Sequence, residues 1–281
     1  MRWPLAALLV SALAAGQALA KLTFTVEATR NGVPIPASEI RMEPFEPGRT
    51  RMGPVKDAPR GRQQKMRRSN PQADSANWCG TVNRAPFGKG IQLAHGTFQH
   101  PSCYIRPEHP FPQAAASWVG IDGDTYRDAL LQSGTVCKIE NSTGVVIHEA
   151  WWQWVPEVAF TINSMPVAPN DWFEVTLNTT STTSAEVTIS NLSQGQTYSI
   201  RIQSGPVLAR VDVDWVIERP YYGTALAGFP TFTDVWFDDA RATLTDVPPS
   251  LLGVQGAKQY QIPGLCASQE WQSWQEVSWS L

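Results

Sequence analysis

The carboxyl groups best placed for proton transfer in this chain sit among tryptophans. Asp212, Asp214 and Glu218 fall at even spacing in Asp212-Val213-Asp214-Trp215-Val216-Ile217-Glu218, so a strand through them turns all three side chains to one face. A carboxyl with a reference pKa of about 4 exchanges protons in acid, where a histidine base is already protonated and idle. Four further segments share the aromatic character: Asn77-Trp78-Cys79-Gly80, Ser117-Trp118-Val119-Gly120-Ile121-Asp122-Gly123-Asp124, Leu130-Leu131-Gln132-Ser133-Gly134, and Trp151-Trp152-Gln153-Trp154-Val155-Pro156-Glu157. The familiar hydrolase signatures are absent: there is no His-Glu-x-x-His, no Gly-x-Ser-x-Gly and no Asp-Thr-Gly or Asp-Ser-Gly. His95, His100, His109 and His148 are scattered and read as surface or structural. No Cys/His cluster has ligand spacing, so neither a metal nor another cofactor is expected.

The elements that must carry these groups read as strands. Phe173–Leu177, Ala185–Ile189, Tyr198–Ile202 and Val211–Ile217 alternate or run in β-branched and aromatic residues between Asn, Ser, Gly and Pro turns. Many short strands with no helical period and no internal repeat predict an all-β, antiparallel sandwich or barrel. Four cysteines, Cys79, Cys103, Cys137 and Cys266, allow two disulfides in three connectivities. Sequons at Asn141, Asn178 and Asn191 fit an extracellular surface.

Charge is segregated along the 281 residues, which hides behind a formal net charge of −3 that excludes a nucleic-acid binder. Residues 1–20 have Arg2, a short apolar run and Ala18 and Ala20 at signal-peptidase spacing, so a secretory signal peptide is expected, not a membrane span. Residues 21–68 hold eleven Lys/Arg against five acids, a net +6, and end at Arg67-Arg68. They read as a basic propeptide. Residues 69–281 hold ten Lys/Arg against twenty acids, a net −10. The opposed charges predict electrostatic inhibition by the propeptide that fades in acid and in salt, as carboxylates protonate and ions screen.

Taken in order and spacing, the segments around Trp78, Trp118, Gln132, Trp151 and Glu218 resemble the fungal glutamic peptidases, the eqolisins of peptidase family G1, over Ser69 to about Leu244. The resemblance implies a lectin-like sandwich of two large antiparallel sheets and an endopeptidase active on proteins and peptides in acid. It also implies pepstatin insensitivity and a secreted monomer that needs no cofactor, membrane or nucleic acid. It places the catalytic glutamine on Gln132 and the catalytic glutamate on Glu218. Glutamate then takes a proton from the attacking water and returns it to the leaving amine, while the Gln132 amide donates to the oxyanion. Trp78 and Trp118 would wall the groove, and Asp122 would support the dyad by hydrogen bonding. Asp214 replaces the longer acid at the start of the family's strand. Gln153 stands where relatives often have a carboxylate, which removes a charge from near the dyad.

Two other readings remain at this level. A carbohydrate-active or carbohydrate-binding sandwich would use the tryptophans as platforms and Asp212, Asp214 and Glu218 as paired carboxylates, but gives Gln132 no role. A non-catalytic secreted binding protein would use neither. Beyond Leu244 the sequence predicts closing strands or, alternatively, a small appended surface.

Overall fold

The computed structural model describes residues 8–11, 22–45, 71–270 and 277–280. The expected cleavage points after Ala20 and at Arg67-Arg68, and Trp271 and Trp274, lie outside them. The strands, in chain order, begin with β1 (Leu8–Ser11), β2 (Thr23–Arg30), β3 (Val33–Pro34), β4 (Glu43–Phe45), β5 (Gln72–Asp74), β6 (Trp78–Arg84), β7 (Ile91–Gln99) and β8 (Cys103–Tyr104). They continue with β9 (Gln113–Ile121), β10 (Leu130–Ile139), β11 (Val146–Val155), β12 (Ala159–Thr161), β13 (Trp172–Thr179), β14 (Ala185–Asn191), β15 (Gln196–Ile202) and β16 (Asp212–Glu218). The last are β17 (Tyr221–Tyr222), β18 (Ala225–Leu226), β19 (Thr231–Phe232), β20 (Val235–Leu244), β21 (Leu251–Leu252), β22 (Lys258–Gln261), β23 (Ala267–Glu270) and β24 (Val277–Ser280).

Two large sheets pack face to face, the expected all-β sandwich. The outer sheet runs β1-β2-β15-β14-β13-β7-β20-β24-β23, and the site sheet runs β4-β12-β11-β10-β9-β16-β6-β22-β5. All pairings are antiparallel except β5 with β22. Strands that alternate in sequence belong to the outer sheet: β13, β14 and β15 bury Phe173, Val175, Val187, Ile189, Tyr198 and Ile200 and turn Glu174, Glu186 and Arg201 outward. In β9 and β16 of the site sheet every residue is buried. A strand needs two apolar faces only where both are covered, and here a second aromatic layer of Trp78, Trp118, Trp151 and Tyr260 covers the far face. Between the sheets, Trp215 lies on Gly96 of β7, where a Cβ would sit 3.0 Å from its Cδ1, and its indole donates to the His95 carbonyl at 2.8 Å.

Two disulfides form, Cys79–Cys266 and Cys103–Cys137. The segment after Leu244 supplies closing strands to both sheets, β21 and β24 on β20 and β22 on β6. Asn141 is exposed in a turn. Asn191 is fully buried and donates its amide to Pro166 O and Asp171 Oδ2, so its sequon is closed to modification in the folded chain.

The segment expected to be a basic propeptide, residues 21–68, divides in two by charge. Residues 22–45 carry two Arg against three Glu, a net −1, whereas 46–68 carry eight Lys/Arg against Glu46 and Asp57, a net +6. The first part is folded into both sheets: β2 pairs along its length with β15, and β4 pairs with β12 at the edge of the site sheet. Charge attraction is not what holds it. Phe24, Val26, Ala28 and Ile40 are buried in the common core, Phe24 stands edge-on to Trp152 and Phe160 at 4.9 and 5.1 Å, and the ion pair to the rest of the chain is a half-exposed Arg201–Glu27 contact.

Candidate active site

Glu218 ends β16 on the outward face of the site sheet, only 1% exposed. Its carboxyl accepts from Asn77 Nδ2 at 3.3 Å and from Trp118 Nε1 at 3.1 Å. Asn77 is set by Ser75, whose hydroxyl donates to Asn77 Oδ1 and accepts from the backbone N–H of Asn77 and Trp78. The Arg219 N–H donates to the Asn77 carbonyl, closing the two strand ends on each other. Burial pushes Glu218 up to about 8, and the Asn77 amide and the Trp78 and Trp118 indoles pull it back. In this arrangement Glu218 is therefore a neutral acid throughout the acid range, not the half-ionised group its type alone implies.

A cleft opens beside Glu218, walled by Val136, Trp151, Tyr221, Tyr222 and Phe45. Besides Glu218, the polar side chains of Gln153 and Thr161 line it. Gln132, fully buried, lies one hydrogen bond further back: its Nε2 donates to Gln153 Oε1 at 3.0 Å, and Gln153 Nε2 donates to the Glu157 carbonyl at 2.9 Å. Gln132 Oε1 meets no donor among the described residues.

Register explains the separation of the two expected partners. Gln132 pairs with Gly120, which pairs with Asp214; Glu218 pairs with Ala116, which pairs with Val136. Gln132 and Glu218 share a face, since rows two apart along a strand point alike, but they stand four residues apart along β10 and no hydrogen bond joins them. Trp118 bridges the gap lengthwise, its Nε1 on Glu218 and its Cζ3 edge 2.6 Å from where a Cβ on Gly120 would lie. Gly134 pairs with Trp118 from β10 on one side, and on the other Val216 of β16 pairs with Trp118 and, in turn, with Gly80 of β6. A Cβ on Gly134 would fall 2.7 Å from the Trp118 Cα, so the Gly of Leu131-Gln132-Ser133-Gly134 is what lets β10 close on β9.

The remaining expected site residues divide. Trp78 and Trp118 are on the site face but fully buried, packed edge-on at 5.1 Å, so they pack behind Glu218 and do not line the cleft. Asp122 does not reach Gln132 or Glu218. Its carboxylate accepts from the backbone N–H of Arg210, Val211 and Asp212 and so fixes where β16 begins; burial pushes it up to about 6. Asp212 accepts from the Thr125 and Tyr126 N–H, and Asp124 is held by Lys258 and Tyr260. Asp214 is wholly buried and held well above the usual carboxylate range by desolvation and by Asp212, Asp124 and Asp122. Asp212 and Glu218 thus face different partners and Asp214 meets no donor among the described residues, which weakens the paired-carboxylate glycosidase reading. Sequence reasoning assigns Asn77 no role, although its place beside a tryptophan and two residues after a serine is a signal. Phe45 and Tyr222 had none. The described residues contain no cluster of three or more His, Cys, Asp or Glu that could hold a metal ion.

A model of the Peptidase A4 family matches residues 76–279, which includes the tail beyond Leu244. The chain is 31% identical over 189 residues to Aspergillopepsin-2 of Aspergillus niger, covering 60% of this chain and 64% of that protein. It is 34% identical over 145 residues to Scytalidopepsin B of Scytalidium lignicola, 51% of each. The match therefore spans about half to two thirds of these relatives' lengths. A crystal structure of scytalido-glutamic peptidase with a transition state analog inhibitor is similar with a TM-score of 0.61 and 25% identity, over 73% of this chain and 98% of that one. The crystal structure of aspergilloglutamic peptidase from Aspergillus niger gives 0.53 and 28%, over 60% and 98%.

Proposed function

We propose, from the premise that the chain belongs to the Peptidase A4 family, that it is a secreted, pepstatin-insensitive acid endopeptidase with Glu218 as proton carrier and Gln132 as oxyanion donor. The observation that carries this reading is the cleft itself, where a buried carboxyl with two N–H donors stands on one side and a relay of two uncharged amides on the other. An acid-working site needs groups that lose nothing by protonation, and amides meet that need.

Water and a substrate entering the cleft weaken the desolvation of Glu218, and the donors from Asn77 and Trp118 then favour its charged form. The carboxylate takes a proton from water as the water oxygen bonds to the peptide carbon. The carbonyl π electrons move onto oxygen, which replaces Gln153 Oε1 as acceptor of the Gln132 Nε2–H. Glu218 returns the proton to the amide nitrogen, the C–N bond breaks, and an acid and an amine leave. The basic residues 46–68 supply the electrostatic restraint at neutral pH, where the exposed acids of the net-acidic domain are charged.

Cleavage of denatured casein or haemoglobin between about pH 2 and 7, with and without pepstatin, beside Glu218→Gln and Gln132→Ala, tests this reading. Activity confined to acid, indifferent to pepstatin and lost in both variants is expected. A folded, processed protein that cuts nothing sinks it and returns the carbohydrate reading.

A further inference from the structure

We propose that Asp214 is a positioning residue for Gln132: its carboxylic O–H donates to Gln132 Oε1 across the bare Gly120 and so keeps the amide N–H groups turned towards the cleft. The catalytic meaning of this bond rests on the function proposed above; the bond itself does not.

The register puts the two side chains in one row. Gln153 of β11 pairs with Gln132 of β10, Gln132 with Gly120 of β9, and Gly120 with Asp214 of β16. Paired residues point to the same face of a sheet, so a polar line of Gln153, Gln132 and Asp214 crosses the site face, interrupted by one glycine. Adjacent strands lie about 4.8 Å apart. Gln132 and Asp214 are therefore two strand spacings apart and can meet only if the residue between them carries no side chain. Asp214 leans into that gap, its Oδ2 3.0 Å from where a Cβ on Gly120 would be. Trp118 Cζ3 and Leu130 Cδ1 come within 2.6 and 3.1 Å of the same point, so apolar atoms close the gap over a fully buried Asp214.

Acceptors meet there without a donor. Gln132 Oε1 and both Asp214 oxygens have no hydrogen-bond partner among the described residues. Buried polar atoms are almost always paired, and two acceptors pair only when one of them carries a hydrogen. Burial, Asp212 on the same strand, and Asp124 and Asp122 at the end of β9 all favour the protonated form of Asp214; Lys258 of β22 opposes them, but it donates to Asp124 and Tyr260. Val82, opposite Asp214 on β6, brings no charge. The protonated acid ties Oε1 back towards β16 and leaves Nε2, now on Gln153 Oε1, to turn to the oxyanion. An ionised Asp214 would draw the Gln132 N–H to itself and present the amide carbonyl to the cleft, where it repels an oxyanion. Asp212 Oδ1 also lacks a donor and is the competing acceptor for the same proton.

Two measurements test the assignment. In the full chain at about pH 4, urea unfolding of Asp214→Ala, Gln132→Met and the double variant closes a cycle, and the bond is expected as a coupling of about fivefold in the unfolding constant. Additive effects overturn it and give the proton to Asp212. In the processed protein at the same pH, Asp214→Ala is expected to lower kcat about tenfold with KM nearly unchanged, since the oxyanion donor acts only in the transition state. Asp214→Asn offers an amide N–H in place of the O–H. It is expected to restore most of kcat and to extend activity further towards neutral pH than the parent, because its donor is not lost by ionisation. A shift in KM and stability with an unmoved pH profile shows a structural role and overturns positioning; the Asp214→Asn profile decides the point even where Asp214→Ala does not fold. A parent that cuts nothing while the coupling persists overturns the peptidase reading and the catalytic role, and leaves the bond.

Discussion

Replacing Glu218 by glutamine removes a titrating group while keeping its shape, and the structure fixes how stability must respond. Glu218 moves from its ordinary value of about 4.5 up to about 8 on folding because burial disfavours its charge. The native state then holds a proton that the unfolded chain releases above pH 4.5, so the stabilisation is complete below that pH and is lost as pH climbs towards 8. At pH 7 the loss comes to about 3 kcal/mol, from about 1.4 kcal/mol per unit over the interval already crossed. Glu218→Gln cannot ionise and escapes it. The variant should match the parent at pH 4 and exceed it at pH 7 by up to about 3 kcal/mol, or about 6–12 °C in Tm for a domain of this size. Thermal unfolding followed by tryptophan fluorescence at the two pH values reads the difference, with Asp122 and Asp214, also raised by burial, common to both proteins. If parent and variant lose the same stability between pH 4 and pH 7, Glu218 is not desolvated in solution and the reasoning fails.

The neighbouring groups give further expectations. Asn77→Ala deletes a donor that favours the charged form of Glu218, so the acidic limb of kcat/KM should move up by about one pH unit, the worth of one charge-assisted bond. An unmoved limb would remove Asn77 from the site. His100 runs the opposite linkage: burial, then His148, lowers it from 6.5 to about 3, so its contribution is present above pH 6.5 and lost as pH falls towards 3. His100→Gln should therefore gain up to about 3 kcal/mol at pH 4 relative to pH 7 in urea titrations, whereas an equal change at both would show that the His100–Thr135 and His100–His148 bonds matter only as packing. Peptide mapping of the protein expressed through a secretory route should find a glycan at exposed Asn141 and none at Asn191, whose amide is bonded within the core; an occupied Asn191 would mean glycosylation precedes folding.

The opposing linkages of Glu218 and His100 also define a pH window. One group destabilises the fold as it approaches neutrality and the other as it approaches strong acid, so the folded state is best supported between them.

What the sequence settles by itself is what local chemistry settles. Period-two alternation in Phe173–Leu177 and Tyr198–Ile202 forces a one-sided strand, and unbroken apolar runs such as Trp215–Ile217 force a strand covered on both faces. Even spacing puts Asp212, Asp214 and Glu218 on one face whatever the fold, and the order of the tryptophan segments carries the family. Their separate duties were not legible, because each depends on groups brought from afar: Asp122 meets β16 from 88–90 residues away, and Glu218 meets Asn77 across 141. Register decided the rest. A pairing of β9 with β10 shifted by two would have kept every buried face buried, yet would have changed which amide faces Glu218, so only the packed sheets could set Gln153 at the cleft and Gln132 behind it. The same holds for residues 22–45, whose place beside a net-basic tract concealed an alternating strand that only Trp152 and Phe160, contributed by the opposite sheet, could hold in the core.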